Sequence, residues 1–183
     1  MGEPLPARPF ETLSSVDSLQ SAMTRTGVRY AAGLLAVAVA AIHFYWAFPR
    51  LFTQFQAGMV PDPRPALFII SGAAILFGIA QILDGRDPEP IYLAGIGLML
   101  TYLVGYVVWH AYSGHGGFFW PWAPAPITHD QSTVSLVAEH LLATPLDLAS
   151  KILETLLSGL LVVLYRGEPQ STDEEIEAVV GSH

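Results

Sequence analysis

The sequence predicts an all-α membrane protein, an antiparallel bundle of four transmembrane helices with an extracellular loop and short helix between spans 3 and 4. Three observations predict it. Of 183 residues, 52% are hydrophobic and the mean hydropathy is +0.45. Charged residues make up 13% of the chain, where a soluble domain carries about a quarter. So few charges cannot solvate a globular surface, and lipid is the alternative cover. Finally, four apolar stretches each approach the roughly 20 residues that a helix needs to cross a hydrocarbon core about 30 Å thick.

Residues 1–27 form a cytoplasmic leader in which Leu13, Val16, Leu19 and Met23 share one helical face. This segment is either an amphipathic helix on the inner membrane surface or an unstructured arm. The membrane domain covers 28–165. Its first span runs from Val28 to Phe48 and is expected to end at Pro49. The leader is too long, and the apolar run too extended, for a cleaved signal peptide. Pro65 opens a second span that closes at Leu83, before Asp84-Gly85. The third, Ile91 to Tyr112, follows Pro90 and stops at Ser113-Gly114. Val134, Val137 and Leu141 suggest a short helix in the following loop. The fourth span covers 145–165. Thr144 can cap it, Pro145 suits its first turn, and Asp147 complements its positive end. Residues 166–183 make an acidic tail, with a candidate capping box from Thr172 to Glu175.

Four spans place both termini on one side. Arg8, Arg25, Arg29, Arg86 and Arg166 collect there, against only Arg50 and Arg64 opposite. The positive-inside rule makes that side cytoplasmic, in a multi-pass protein of the cell membrane. Trp46, Trp109, Trp120 and Trp122 all fall at the outer interface, where amphipathic rings act as anchors. Small residues mark the expected contacts between helices: Ala32, Ala36 and Ala40 on the first span, Ala74 and Gly78 on the second, and Gly97, Thr101 and Gly105 on the third.

Composition also excludes. With no cysteine there is no disulfide, zinc-thiolate site or thiol catalysis. A net charge of −8 with seven Arg and the single Lys151 excludes nucleic acid as a partner, because phosphate neutralisation needs clustered cations. The expected partners are the lipid bilayer and a membrane-protein partner or second copy of the chain.

Chemistry concentrates at the outer end. His43, His110, His115, His129 and His140 all map there, while His183 lies inside. Neutral imidazole suits zinc and copper, so these five are candidate metal ligands for Cu or Zn. A haem held by facing rings such as His43 and His110 is a further reading. Asp62, Asp130 or Glu139 could complete a site, and Met59 is the one soft ligand in the outer loops. The bland reading is that interfacial histidines simply tolerate the headgroup region, and no tight metal motif is present.

On the fourth span, Asp147, Lys151, Glu154 and Ser158 are spaced 4, 3 and 4 and share one face. Lys151 lies about 9 Å and Glu154 about 13 Å below Pro145. An isolated charge at such depth costs at least ~2.5 kcal/mol, which pairing at i,i+3 or i,i+4 offsets. The stripe is either a polar conduit or a structural ion pair that fixes which face turns inward.

IHFYWA, YLAGIGLMLTYLVGYVVW and LDLASKILETLLSGLLVVLYRGE together resemble an uncharacterised haloarchaeal family of small four-span membrane proteins, over roughly residues 28–168. The resemblance implies the four-span fold. It places His43, Asp147, Lys151 and Glu154 at family-like positions, and it brings no activity.

The leading functional expectation is a non-enzymatic module binding a metal or a partner on its outer face. The alternatives are a small transporter or channel-like subunit built on the stripe of the fourth span, and a membrane enzyme acting on a lipid-like substrate with His43 and Glu154 as acid and base. The apparent difference in depth of those two residues ranks the enzyme last, because acid–base work needs groups within about 3 Å of a shared substrate.

Overall fold

A computed structural model of the chain describes residues 11–58, 62–116, 119, 122 and 125–167, with side chains from Met23 onward. Its elements are all helical: α1 (Glu11–Gln56), α2 (Arg64–Leu83), α3 (Glu89–Val107) continued by a π-helical turn (Val108–Tyr112), α4 (Thr133–Ala143) and α5 (Pro145–Gly167). Four segments, Met23–Gln56, Arg64–Leu83, Glu89–Tyr112 and Pro145–Gly167, are long and apolar enough to cross a membrane.

The ends of α2 and α3 follow from their sequences. Each has proline in its first turn, where the missing N–H is no loss. α2 closes at Asp84 and Gly85, whose φ of +78° lets Arg86 N–H reach back to the Gln81 carbonyl at 3.0 Å.

The first helix departs from expectation. It does not stop at Pro49 but carries that proline inside and runs on to Gln56. Pro49 removes one N–H from the ladder. Arg50 Nη1 donates to the Trp46 carbonyl at 2.8 Å and Thr53 Oγ1 to the Pro49 carbonyl at 2.8 Å, so side chains supply local donors beside the gap. At its other end the helix begins at Glu11, so the leader continues the first span instead of forming a separate surface segment. The face proposed for Leu13, Val16 and Leu19 lies outside the described side chains, and Met23 is exposed.

α1 packs on α2 and on α5, and α3 packs chiefly on α5. Ala32, Ala36, Val39, Tyr92, Met99, Leu157 and Leu164 form the buried core. The alanine stripe of α1 is therefore an interface, with Ala40 buried alongside Ala32 and Ala36. Of the α2 stripe only Gly78 is at an interface, where a Cβ would meet Ile91 of α3 at 3.2 Å, and the α3 stripe is not an interface. Ala74 is exposed, and the closest approach on α2 is instead at Gly72, where a Cβ would press on the Phe44 ring. Gly97, Thr101 and Gly105 face outward, and Thr101 Oγ1 bonds back to the Gly97 carbonyl. On α3 the tight contact is Gly95 against Leu161. A run of small residues marks a close approach only where a partner helix has a side chain to fill it.

The outward faces of the long helices carry Leu34, Val37, Ile70, Phe77, Leu93, Leu100, Leu156 and Val163, all exposed. Apolar surface of this extent suits a lipid environment. At one end of the molecule, Arg25 from early α1 donates to the Gly167 carbonyl at the end of α5.

Candidate functional sites

Two polar clusters form, and they divide the expected histidine set. The first sits where the end of α3, α4 and the start of α5 meet. Ordinary α-helix gives way to a π-turn over Val108–Tyr112, with Ser113 N–H bonded to the Val108 carbonyl at 2.8 Å. Such turns re-aim side chains and recur at functional sites. The chain then makes three successive left-handed residues, Gly114 (φ 56°), His115 (φ 56°) and Gly116 (φ 88°). Glycine suits this conformation, whereas a histidine there is strained. At Gly116 any Cβ would overlap the Trp109 ring. Ser113 Oγ closes the turn by donating to the Trp109 carbonyl at 2.7 Å and accepting from Gly116 N–H at 2.9 Å. Ile127 N–H reaches the Gly114 carbonyl at 3.1 Å and brings the returning loop alongside.

This turn folds His115 back over His110. Their ring centroids lie 5.1 Å apart, and His140 from α4 lies 4.5 Å from His110 and 5.2 Å from His115. One nitrogen from each of these three rings falls within 4.8 Å of the other two. His129 joins from the loop, its Nε2 3.0 Å from His115 Nε2.

Hydrogen bonding fixes two tautomers. His110 Nδ1 lies 2.9 Å from the Tyr106 carbonyl and His140 Nδ1 lies 2.9 Å from the Leu136 carbonyl. A carbonyl only accepts, so both Nδ1 atoms donate and both Nε2 atoms keep lone pairs. The His115–His129 contact needs a proton or a cation between two nitrogens. Two imidazoles bound to one tetrahedral ion with bonds of about 2.0–2.1 Å stand roughly 3.3 Å apart, close to this separation. Partial burial pushes the His115 pKa below its ordinary value, and the neighbouring His140, His129 and Arg64 push it the same way. The neutral, ligating form is thereby favoured.

The supporting residues are legible once the fold is known. The Arg64 guanidinium lies 3.7 Å over the Trp109 ring and also pairs with Asp62. Asp62 is thus engaged by Arg64 instead of completing the histidine set. The only group of three or more potential ligand residues found among the described residues is His110, His115 and His140, so Asp130 and Glu139 do not belong to it, and His129 adjoins it through its contact with His115 alone. Met59 and Trp120 lie outside the described residues. Trp46 sits under Arg50 at 4.2 Å, whereas Trp122 is largely exposed. The short helix expected around Val134, Val137 and Leu141 is α4, which buries Leu136, half-buries Val137 and Leu141 and leaves Val134 exposed.

No family model, curated protein or solved structure matches this chain. The two clusters therefore have to be read from their own chemistry.

His43 belongs to the second cluster and is not in the group of His110, His115 and His140. It is buried between the Phe68 ring of α2 at 4.9 Å and the Tyr102 ring of α3 at 4.3 Å. Its Nε2 lies 3.3 Å from Glu154 Oε1 on α5. Glu154 is fully buried and also accepts from Ser150 Oγ at 2.7 Å and from Lys151 Nζ at 2.6 Å. Lys151 Nζ adds a longer bond to the Tyr102 carbonyl, 3.4 Å away.

This overturns the expectation that His43 and Glu154 stand at different depths. That expectation counted depth from Pro49 as a helix end, and α1 has no end there. The stripe's partners from other helices are His43 of α1 and the Tyr102 carbonyl of α3. Asp147 is half-buried at the head of the stripe. Ser158 is half-buried and is not among the groups bonded to Glu154, whereas Ser150, absent from the expected stripe, is. The i,i+4 step from Ser150 to Glu154 was readable in the sequence, but serine alone gave no reason to select it.

Proposed function

We propose that this chain is a multi-pass membrane protein that binds a divalent transition metal, zinc or copper, on His110, His115 and His140, with His129 as the fourth ligand. Both termini are cytoplasmic in this reading and the site faces outward, in keeping with the arginine distribution. The resemblance to haloarchaeal four-span proteins belongs to the same proposal. Its supports are the sequence segments already quoted.

The observation that carries the metal reading is the fixed tautomer pair. His110 and His140 each donate Nδ1–H to a carbonyl one helical turn back, so their Nε2 lone pairs are oriented before any ion arrives. The second support is the strained left-handed His115, held between two glycines where a relaxed turn would not need it. An all-imidazole donor set matches zinc, copper or nickel and does not match calcium or magnesium, which take oxygen ligands.

The test is metal analysis and equilibrium dialysis of the purified full-length protein with Zn²⁺ and Cu²⁺. About one ion per chain is expected, with the affinity of His110→Ala/His115→Ala lower by at least about tenfold. If the wild type retains neither ion, or the double variant binds as well as the wild type, the reading is wrong.

A further inference from the structure

The buried cluster holds an atom that the ion pair does not explain. Lys151 and Glu154 already satisfy each other's charge, and Ser150 adds a second bond to the carboxylate. His43 brings a second, titratable ring to the same oxygen, yet its Nδ1 is buried with no hydrogen-bond partner among the described residues. The tautomer follows from chemistry. A carboxylate oxygen only accepts, so Nε2 donates to Glu154 and Nδ1 keeps its lone pair. The opposite tautomer would set a lone pair against the carboxylate and bury an unsatisfied N–H at a cost of roughly 1–3 kcal/mol with nothing to offset it, whereas the imidazolium sets its positive charge against Glu154 in return for the same N–H.

We propose that His43 is a proton-binding site within the membrane-spanning core, with Nδ1 as the accepting atom and Glu154 as the group that orients and stabilises its charged form. The ligand is a proton, so the site needs no cavity. Uptake forms one N–H bond on Nδ1 and converts a neutral ring hydrogen-bonded to Glu154 into an imidazolium–carboxylate pair. The groups facing His43 from the helices packed on it are few. α2 offers the uncharged Phe68, α3 offers the ring of Tyr102, and α5 offers Glu154 with Lys151 beside it. The carboxylate favours the imidazolium and the ammonium opposes it. Asp147, Lys151 and Glu154 follow one another along one face of α5, from its first turn to the level of His43. This site is separate from the proposed metal ligands and stands whether or not they bind an ion.

A purely structural histidine would hold Glu154 in place without changing its protonation. The distinguishing measurement is nitrogen-15 NMR of histidine-labelled full-length protein in lipid nanodiscs, across roughly pH 4 to 9, a range that brackets free imidazole. The His43 signals are assigned by their loss in His43→Gln. At the high-pH end Nδ1 is expected without a proton and Nε2 with one, and on acidification Nδ1 gains its proton.

Glu154→Gln is expected to weaken proton uptake at His43 by about tenfold or more, a shift of about one pH unit toward acid. Lys151→Met is expected to shift it the opposite way. These opposite signs are what a merely structural role would not produce. The proposal is overturned if Nδ1 is protonated throughout, if it never gains a proton, or if neither substitution moves the transition. Should Glu154→Gln fail to fold, the wild-type tautomer and the Lys151→Met shift still decide the matter.

Discussion

The two histidine environments of this protein were assembled by opposite means. His43 is held by long-range packing: α2, α3 and α5 each contribute a neighbour to this residue of α1, and its acceptor lies 111 residues away in sequence. The outer cluster is held by local backbone geometry, in which a π-turn, three left-handed residues and two turn-back carbonyl bonds aim the rings. A site built by packing fails when a charge loses its partner. A site built by backbone strain fails when the turn is altered, and the helices beneath it survive.

The sharpest way to break this contrast is Glu154→Ala. It leaves Lys151 in a mostly buried position without its carboxylate. Breaking a buried pair from one side costs roughly 3–5 kcal/mol, the largest loss expected from any single substitution here. Thermal unfolding of the protein in nanodiscs would show it, and Lys151→Met/Glu154→Leu should recover most of it. A small shift for Glu154→Ala, comparable with a surface substitution, would mean that the cluster does not hold the helices together.

Gly116→Ala should act on the other site. The new Cβ meets Trp109 and also occupies a left-handed residue. Strain of this kind costs on the order of 1–3 kcal/mol. It should appear as lost metal affinity and faster amide exchange in the 113–116 turn, with exchange in α1 and α5 unchanged. Exchange rising equally in all three segments would erase the distinction between the sites.

The smallest and most discriminating change is His115→Gly. It relieves a left-handed non-glycine residue, worth roughly 1–2 kcal/mol, while deleting a candidate ligand. Local stability should stay level or rise as metal binding falls. If stability falls by as much as binding, the ring packs the turn and strain is not its defining property.

The two sites were unequally legible in the sequence. The four apolar segments announced themselves through length and low charge, and proline and glycine marked the ends of α2 and α3 because those residues act locally. Pro49 misled for the same reason: its local cost was outweighed within a long apolar helix whose side chains supply donors around it. That error carried into the depth assigned to His43 and hid its contact with Glu154. The convergence of His110, His115 and His140 was readable as an opportunity, since a glycine-rich turn can fold one ring back. Which histidines met depended on φ values that glycine content alone does not specify. The exposed Gly97–Thr101–Gly105 face shows the limit of composition, because small residues state what could approach and say nothing of what does.

The length of α1 has a mechanical consequence. Forty-six residues make a rod about 69 Å long, more than twice the hydrocarbon thickness of about 30 Å. Tilt alone cannot absorb such a surplus, so the helix must stand proud of the bilayer. Along its far end Phe48, Phe52 and Phe55 are exposed. Torque or traction applied to that protruding portion would reach the level of His43 only through Pro49, the position in between where the backbone ladder lacks a donor.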